Sequence, residues 1–158
     1  MYILVTGGAG YIGCHTVRAL KKEGFKVVVL DNLVHVHREI IENVLEVPLV
    51  VGDIGDTELV TKILSGKHES TKGELVFAVV HFAAFAYVGE SVINPTKYFK
   101  NNVANSIYLL DALIEESKER RKTNANYQIP IVFSSTCATY GIPDKYPILE
   151  STKQVPIN

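Results

Sequence analysis

Short apolar runs recur along the chain, and polar segments with helical spacing lie between them. The apolar runs are rich in β-branched and aromatic residues, which favour strands, and they cover residues 2–5, 27–30, 49–51, 75–80 and 129–133. Because each run is continuously apolar, we expect strands that are buried on both faces. Helical spacing marks the intervening segments 16–20, 38–45 and 58–64, and Asp56 and Thr57 give a start signal for the last of these. This alternation predicts βαβ units and an α/β fold with a doubly wound parallel sheet.

The clearest helix is predicted to begin at Asn94 and Pro95 and to end near Lys118. Asn can cap the free amide groups of a helix start, and Pro fits the first turn because it has no N–H. Apolar residues at helical spacing build one face of this helix, namely Phe99, Val103, Ile107, Leu110 and Ile114. A face of this kind must pack against something.

Composition and charge limit the partners of the chain. Its 158 residues, 47% of them hydrophobic, suffice for one core, and we expect one domain over residues 1–158. Sixteen basic and seventeen acidic residues leave a net charge of −1, which argues against nucleic acid as a partner. The longest apolar stretch, 75–88, is shorter than the roughly 20 residues that span a bilayer, so no membrane is expected. With Cys14 and Cys137 alone, a disulfide framework is not expected, and the cytoplasm is the default location.

A glycine-rich turn follows the first predicted strand and opens a helix. Its residues Gly7, Gly10 and Gly13 match the pattern of dinucleotide-binding turns. Glycine is needed there because the turn is tight, and because a Cβ would hold the backbone away from a pyrophosphate on the amides of the helix start. An isolated glycine pattern is weak, but a strand, glycines and a helix in this order favour a Rossmann-type site.

Two carboxylates follow later strands of the predicted sheet. Asp31 closes the second apolar run, 18 residues beyond Gly13. A carboxylate at this position accepts hydrogen bonds from the adenosine ribose and repels a 2′-phosphate, so the sequence predicts NAD rather than NADP. A surface turn is the alternative role for Asp31. Asp53 follows the third run and could reach the adenine, although a loop acid is unremarkable by itself.

The histidines give weaker signals. His35 and His37 could form a metal pair, but two histidines without a third ligand more often belong to a surface loop. His81 lies at the end of an apolar run, which is more typical of a hydrogen-bonded core histidine than of a catalyst.

Longer motifs are distributed along essentially the whole chain. They read VTGGAGYIG at 5–13, DNL at 31–33, GDI at 52–54, HFAAFAYVGES at 81–91, NP...YFKNNV at 94–103 and FSSTCATYG at 133–141. Together these motifs resemble the extended short-chain dehydrogenase/reductase group. Within that group, HFAA...VGES combined with SSTCATYG resembles the UDP-glucose 4-epimerase family.

The resemblance implies an NAD-binding Rossmann domain and a set of residues in contact with the dinucleotide: Tyr11, Ile12, Asp31, Asn32, Asp53, Ile54, Phe82, Ala83, Ala84 and Asn101. It also implies that Thr136 is catalytic through a hydrogen bond to the sugar O4, whereas Ser134 to Thr136 alone would indicate a polar strand end. The complete enzyme is expected to invert C4 of a UDP-hexose. It is further expected to form a homodimer through helices that include residues 94–118.

The chain departs from the family pattern at several places. Ala86 stands where members often have Lys, and residues 34–37 replace a Ser/Gly-rich segment. This chain has the letters PIN at 156–158. After such a motif the family continues with PYG..K, whose Tyr and Lys complete the acid/base machinery. We therefore expect a Rossmann domain truncated at its C-terminus, and a 158-residue chain that is inactive by itself.

Other functions remain open from the sequence. A UDP-xylose/UDP-arabinose 4-epimerase is one alternative, because the part of the family that sets the sugar specificity lies beyond these residues. A dinucleotide-binding fragment without catalytic activity is another. A decarboxylase of the same group is another candidate. A nucleotide-sugar 4,6-dehydratase is disfavoured because Cys137 and Ala138, rather than acidic residues, follow Thr136.

Overall fold

The computed structural model describes residues 1–36 and 38–157. Its five strands are β1 Tyr2–Thr6, β2 Lys26–Asp31, β3 Leu49–Val51, β4 Val76–His81 and β5 Ile131–Phe133. All pair in parallel, in the order β3-β2-β1-β4-β5. The predicted α/β fold with a parallel sheet is confirmed, and each predicted run overlaps one strand.

Helical segments connect the strands. The α-helices are α1 Tyr11–Lys22, α2 Thr57–Leu64, α3 Val88–Ile93, α4 Pro95–Tyr98 and α5 Asn105–Arg121. In the described residues, two π-helical segments cover Ile40–Leu45 and Phe99–Ala104, and two short 3-10 helices cover Glu69–Thr71 and Cys137–Tyr140. Helix α2 begins where the sequence predicts it, because the side chain of Asp56 accepts a hydrogen bond from the Leu59 amide at 2.9 Å.

Both faces of the sheet are covered by helices. On one face, Leu4 and Leu30 pack with residues of α2 and α5, among them Ile63 and Leu109. On the other face, Val5 and Val29 of the sheet pack with Val17 of α1 and with the π-helical segment Ile40–Leu45. Strands buried on both sides explain the continuous apolar runs, and the sheet is doubly wound as predicted.

The long helical segment from Pro95 to Arg121 differs from the sequence expectation. The predicted apolar face is exposed, with side chains between 43% and 69% accessible: Phe99, Val103, Ile107, Leu110 and Ile114. The sheet is covered instead by the opposite side of the helix, which carries Leu109, Ala112 and Leu113. Because this helix is apolar on two sides, its sequence periodicity alone does not identify the side that faces the core.

An arginine whose side chain is only 9% exposed fixes the carboxyl end of α5 against the sheet. Arg120 donates to Glu116 at 2.8 Å, to the Val76 carbonyl at 2.6 Å, to the Tyr127 hydroxyl at 2.7 Å and to the Leu64 carbonyl at 2.6 Å. Its charge is thus paired, and four of its five N–H groups donate to protein acceptors. These bonds hold α5 in the position from which its first turn reaches the carboxyl edge of the sheet.

Candidate functional site

A cleft opens at the carboxyl ends of β1, β2, β3 and β4. It contains about 580 Å³ of empty space, including its open mouth. Ten of the predicted cofactor residues line it, namely Gly7, Gly10, Asp31, Asn32, Asp53, Ile54, Phe82, Ala83, Ala84 and Asn101. The chain winds from β1 towards β3 on one side and continues to β4 and β5 on the other. Open α/β sheets bind ligands at such a change of direction.

The glycine turn packs directly against its neighbours. Gly7 has a φ of +69°, and a Cβ on it would lie 2.6 Å from the Ala83 amide nitrogen. A Cβ on Gly13 would lie 2.2 Å from the Gly7 carbonyl oxygen. Larger residues therefore cannot occupy these positions without moving the backbone.

The first turn of α1 suits an anion. Its N-cap residue, Gly10, has no side chain to accept from the free amides, and the turn contains no acidic residue. Tyr11 and Ile12 lie in this turn with exposed side chains. Unpaired amides at the positive end of a helix are the groups that bind phosphate.

Asp31 holds a fixed carboxylate at the end of β2. The residue is only 8% exposed, and its Oδ2 accepts from the Ala9 amide at 3.0 Å. Its Oδ1 accepts from the Leu33 amide at 2.9 Å. Each oxygen retains a second lone pair for a ligand, so the carboxylate is oriented but still able to accept from ribose hydroxyls.

Asp53 lies across the cleft in the turn between β3 and α2. Its Oδ1 accepts from the Gly55 amide at 2.8 Å and from Nδ2 of Asn105 at 2.7 Å. Its Oδ2 accepts from Nδ2 of Asn32 at 3.3 Å. A residue at the start of α5 therefore bonds directly to a carboxylate of the cleft.

The loop after β4 is fixed by a second asparagine. Asn102 donates from Nδ2 to the Phe85 carbonyl and accepts from the Phe85 amide at Oδ1, both at 2.9 Å. The buried Asn101 donates to Asn102 Oδ1 at 2.8 Å. Sequence reasoning missed Asn102 and Asn105. The sequence feature that could have identified them is the cluster of asparagines inside a predicted helix, where Asn is normally unfavourable.

His81 is confirmed as a hydrogen-bonded core histidine. Its Nδ1 lies 2.6 Å from the Thr6 hydroxyl, and its Nε2 lies 3.2 Å from the Ser106 hydroxyl. Burial lowers the pKa of His81 below its ordinary value. The ring therefore joins β1, β4 and α5 as a neutral group at neutral pH.

The structure places Thr136 outside the lining of the cleft. Thr136 follows β5 by three residues and is exposed. Its hydroxyl oxygen accepts from the Ala138 amide at 3.2 Å and so caps the short 3-10 helix. Its hydroxyl proton can still be donated to a ligand.

The remaining histidines do not form a metal site in the part of the chain that the structure describes. His35 packs edge-on against Phe85 and Tyr87, with ring centroids 5.7 Å and 5.2 Å apart, while His37 lies outside the described residues. Within residues 1–36 and 38–157, no three His, Cys, Asp or Glu side chains are placed to hold a metal ion. Across the same ranges, no helix is both long and apolar enough to cross a bilayer.

The parallel sheet, the glycine turn and the cleft define a Rossmann-type dinucleotide-binding domain. The model of the NAD dependent epimerase/dehydratase family matches residues 3–158, and the chain belongs to this family.

Two relatives and one solved structure show which members of the family this chain is similar to. A UDP-glucose 4-epimerase from Lactobacillus helveticus is 48% identical over 158 residues, which are 100% of this chain and 42% of that protein. A probable UDP-arabinose 4-epimerase from Arabidopsis thaliana is 41% identical over 99% of this chain and 36% of its own length. The crystal structure of the UDP-glucose 4-epimerase from Brucella ovis in complex with NAD aligns with a TM-score of 0.77. The two sequences are 41% identical, and the alignment covers 99% of this chain and 42% of the Brucella ovis chain. The chain thus spans about two fifths of these relatives.

Proposed function

We propose that the cleft binds NAD and that the protein is a nucleotide-sugar 4-epimerase, interconverting UDP-glucose and UDP-galactose. The observation that carries the proposal is the buried carboxylate of Asp31, oriented by main-chain amides beside an uncapped, glycine-bounded helix start. The Brucella ovis relative, with NAD bound, supports the same assignment. The domain over residues 1–158 is the cofactor-binding part of this activity.

Each part of the cleft suits one part of the cofactor. The amides around Gly10 would hold the pyrophosphate, Asp31 the adenosine ribose, and Asp53 the adenine. The other proposed cofactor contacts are Gly7, Tyr11, Ile12, Gly13, Asn32, Ile54, Phe82, Ala83, Ala84 and Asn101. When bound, NAD supplies reversible hydride transfer.

Thr136 is the proposed catalytic residue of this chain. Its hydroxyl would donate a hydrogen bond to the sugar O4, and such a contact requires an exposed group at the carboxyl edge of the sheet. The exposed hydroxyl beyond β5 meets both requirements.

We also propose a homodimer for the whole protein. The exposed apolar side of the helical segment that includes Phe99, Ile107 and Ile114 supplies a surface that one copy could bury against another. Sedimentation of Ile107→Glu should then report a weaker dimer than the wild type. An unchanged dissociation constant would argue against this face.

UDP-arabinose is the second candidate substrate, because the Arabidopsis thaliana relative is a probable UDP-arabinose 4-epimerase. Calorimetry of the NAD-loaded protein with UDP-galactose and with UDP-arabinose would separate the two. We predict that the 158-residue chain by itself is inactive. Measurable 4-epimerisation by this chain would contradict that prediction.

NAD binding is tested by titrating the protein with NAD and with NADP. We expect saturable binding of NAD and at least tenfold or so weaker binding of NADP, because Asp31 repels a 2′-phosphate. Asp31→Asn should weaken NAD binding by about tenfold and reduce the preference over NADP. Asp111→Asn makes the same charge change on the exposed side of α5 and should change neither. A folded wild-type protein that does not bind NAD would overturn the proposal.

A further inference from the structure

Asn105 connects the start of α5 to the adenine side of the cleft. Its Nδ2 lies 2.7 Å from Oδ1 of Asp53, a residue 52 positions earlier in the chain. Because a carboxylate can only accept, the nitrogen of the Asn105 amide must face Asp53. The bond is part-buried and joins two elements that no strand pairing connects.

Gly55 shows that the turn is shaped around this amide. A Cβ on Gly55 would lie 2.7 Å from both Cγ and Oδ1 of Asn105. Gly55 does not belong to the glycines with positive φ, so its backbone conformation does not itself require glycine. A larger residue at position 55 would therefore have to displace the side chain of Asn105.

The bonds of Asp53 leave one oxygen for a ligand. Oδ1 accepts from Gly55 and Asn105, at 2.8 Å and 2.7 Å, and so uses both of its lone pairs. Oδ2 accepts only the long bond of 3.3 Å from Asn32 among the described residues. Since Asp53 lines the cleft, Oδ2 is the acceptor available there, and anchoring Oδ1 sets its direction.

We infer that Asn105 is a positioning residue that holds Asp53 so that Oδ2 accepts from the exocyclic amine of adenine. The cleft thereby distinguishes adenine from a base that carries an oxygen at the same position. This inference rests on the proposed binding of NAD. It assigns to α5 a part in choosing the base of the cofactor, in addition to its packing on the sheet.

The test compares NAD with deamino-NAD, in which hypoxanthine replaces adenine and a carbonyl oxygen replaces the amine. Calorimetry of the wild type should give a preference for NAD of about tenfold, since an oxygen facing Oδ2 loses a hydrogen bond and is repelled. In Asn105→Ala, this preference should fall to roughly twofold. Ser106→Ala is the matched control, because it removes the bond from the neighbouring residue of α5 to His81 and leaves Asp53 untouched. It should retain the preference.

Gly55→Ala provides a second, independent variant. Its new Cβ would push the Asn105 amide away from Asp53 without deleting any hydrogen-bonding group, so the same loss of preference is expected. If Asn105→Ala unfolds, Gly55→Ala decides the question. Equal weakening for NAD and deamino-NAD in both variants would reduce Asn105 to a structural role and overturn the inference. A wild type that binds NAD without any preference would overturn it as well, whereas failure to bind NAD at all would overturn the proposed function and the inference together.

Discussion

The cleft and the region from β5 to residue 157 are built in different ways. In the cleft, the Asp31 and Asp53 carboxylates bond to main-chain amides or to asparagine side chains. In the second region, large apolar side chains face solvent, among them Val132 at 63% exposure, Ile142 at 80% and Tyr146 at 77%. The cleft is therefore organised by contacts within this chain, whereas the surroundings of Thr136 have few such contacts. NAD binding should accordingly depend on the first region and be insensitive to changes in the second.

The largest effect is expected from Gly13→Ala. The new Cβ would lie 2.2 Å from the Gly7 carbonyl oxygen, so the glycine turn must move away from α1. We expect at least about 3 kcal/mol of lost stability and no measurable NAD binding, as followed by urea unfolding and calorimetry. Gly89→Ala is the control, since its Cβ meets open space in α3 and should keep stability within about 1 kcal/mol. Normal NAD affinity in Gly13→Ala would show that the turn is not needed.

A smaller, pH-dependent effect is expected from His81. Because burial lowers its pKa, the unfolded chain binds more protons than the folded one between the lowered pKa and about 6.5. The contribution of His81 to stability is therefore complete above pH 6.5 or so and is lost as the pH falls towards the lowered pKa. The slope cannot exceed about 1.4 kcal/mol per pH unit for one proton.

Urea unfolding between pH 5 and 8 would measure this slope. His81→Asn should be less stable at neutral pH but lose less stability on acidification. His15→Asn removes an exposed histidine of α1 and controls for the loss of a histidine as such. Identical slopes in the wild type and His81→Asn would contradict the prediction.

Substitutions in the second region should change the solubility of the protein rather than its stability. Val132 lies on β5, the last strand in the order of the sheet, where exposed apolar edges promote association. Val132→Lys should lower light scattering at high protein concentration and change the free energy of unfolding by no more than about 0.5 kcal/mol. Val51→Lys, at the opposite edge on β3, tests whether the effect belongs to β5. Equal light scattering by the wild type and Val132→Lys would show that the exposed side chain on β5 does not cause the association.

The smallest effect on the isolated chain is expected from Thr136→Ala. The substitution removes one exposed hydrogen bond to the Ala138 amide, so stability should change by about 0.5 kcal/mol or less. NAD affinity should stay within about twofold of the wild type by calorimetry, because Thr136 does not line the cleft. A tenfold loss of affinity would break the contrast between the two regions.

Local sequence rules account for the parts that were predicted. The strands follow continuous apolar runs, α2 begins at the Asp56 cap, and Gly7, Gly10 and Asp31 line the cleft as their spacing implies. Each of these features depends on residues close together in the chain. The same rules predicted the Asn94 cap, which accepts from the Lys97 amide at 3.4 Å.

The missed features depend on contacts between distant residues. Asn105 meets Asp53 only because α5 lies over the β3–α2 turn. The core-facing side of α5 contains Glu116 and Ser117, whose burial requires partners that periodicity does not reveal: Arg120 for the carboxylate and the Ile129 amide for the hydroxyl. The π-helical turn Phe99–Ala104 also shifts the register of the helix before α5 begins.

The position of β1 has a consequence for synthesis of the protein. Of the five strands, β1 precedes the others in the chain, yet it lies at the centre of the sheet and pairs with both β2 and β4. At about 5–20 residues per second, the ribosome needs on the order of several seconds after β1 to reach the end of β4. During that interval β1 lacks one of its two strand partners, so one edge of the central strand stays unpaired until β4 has been made.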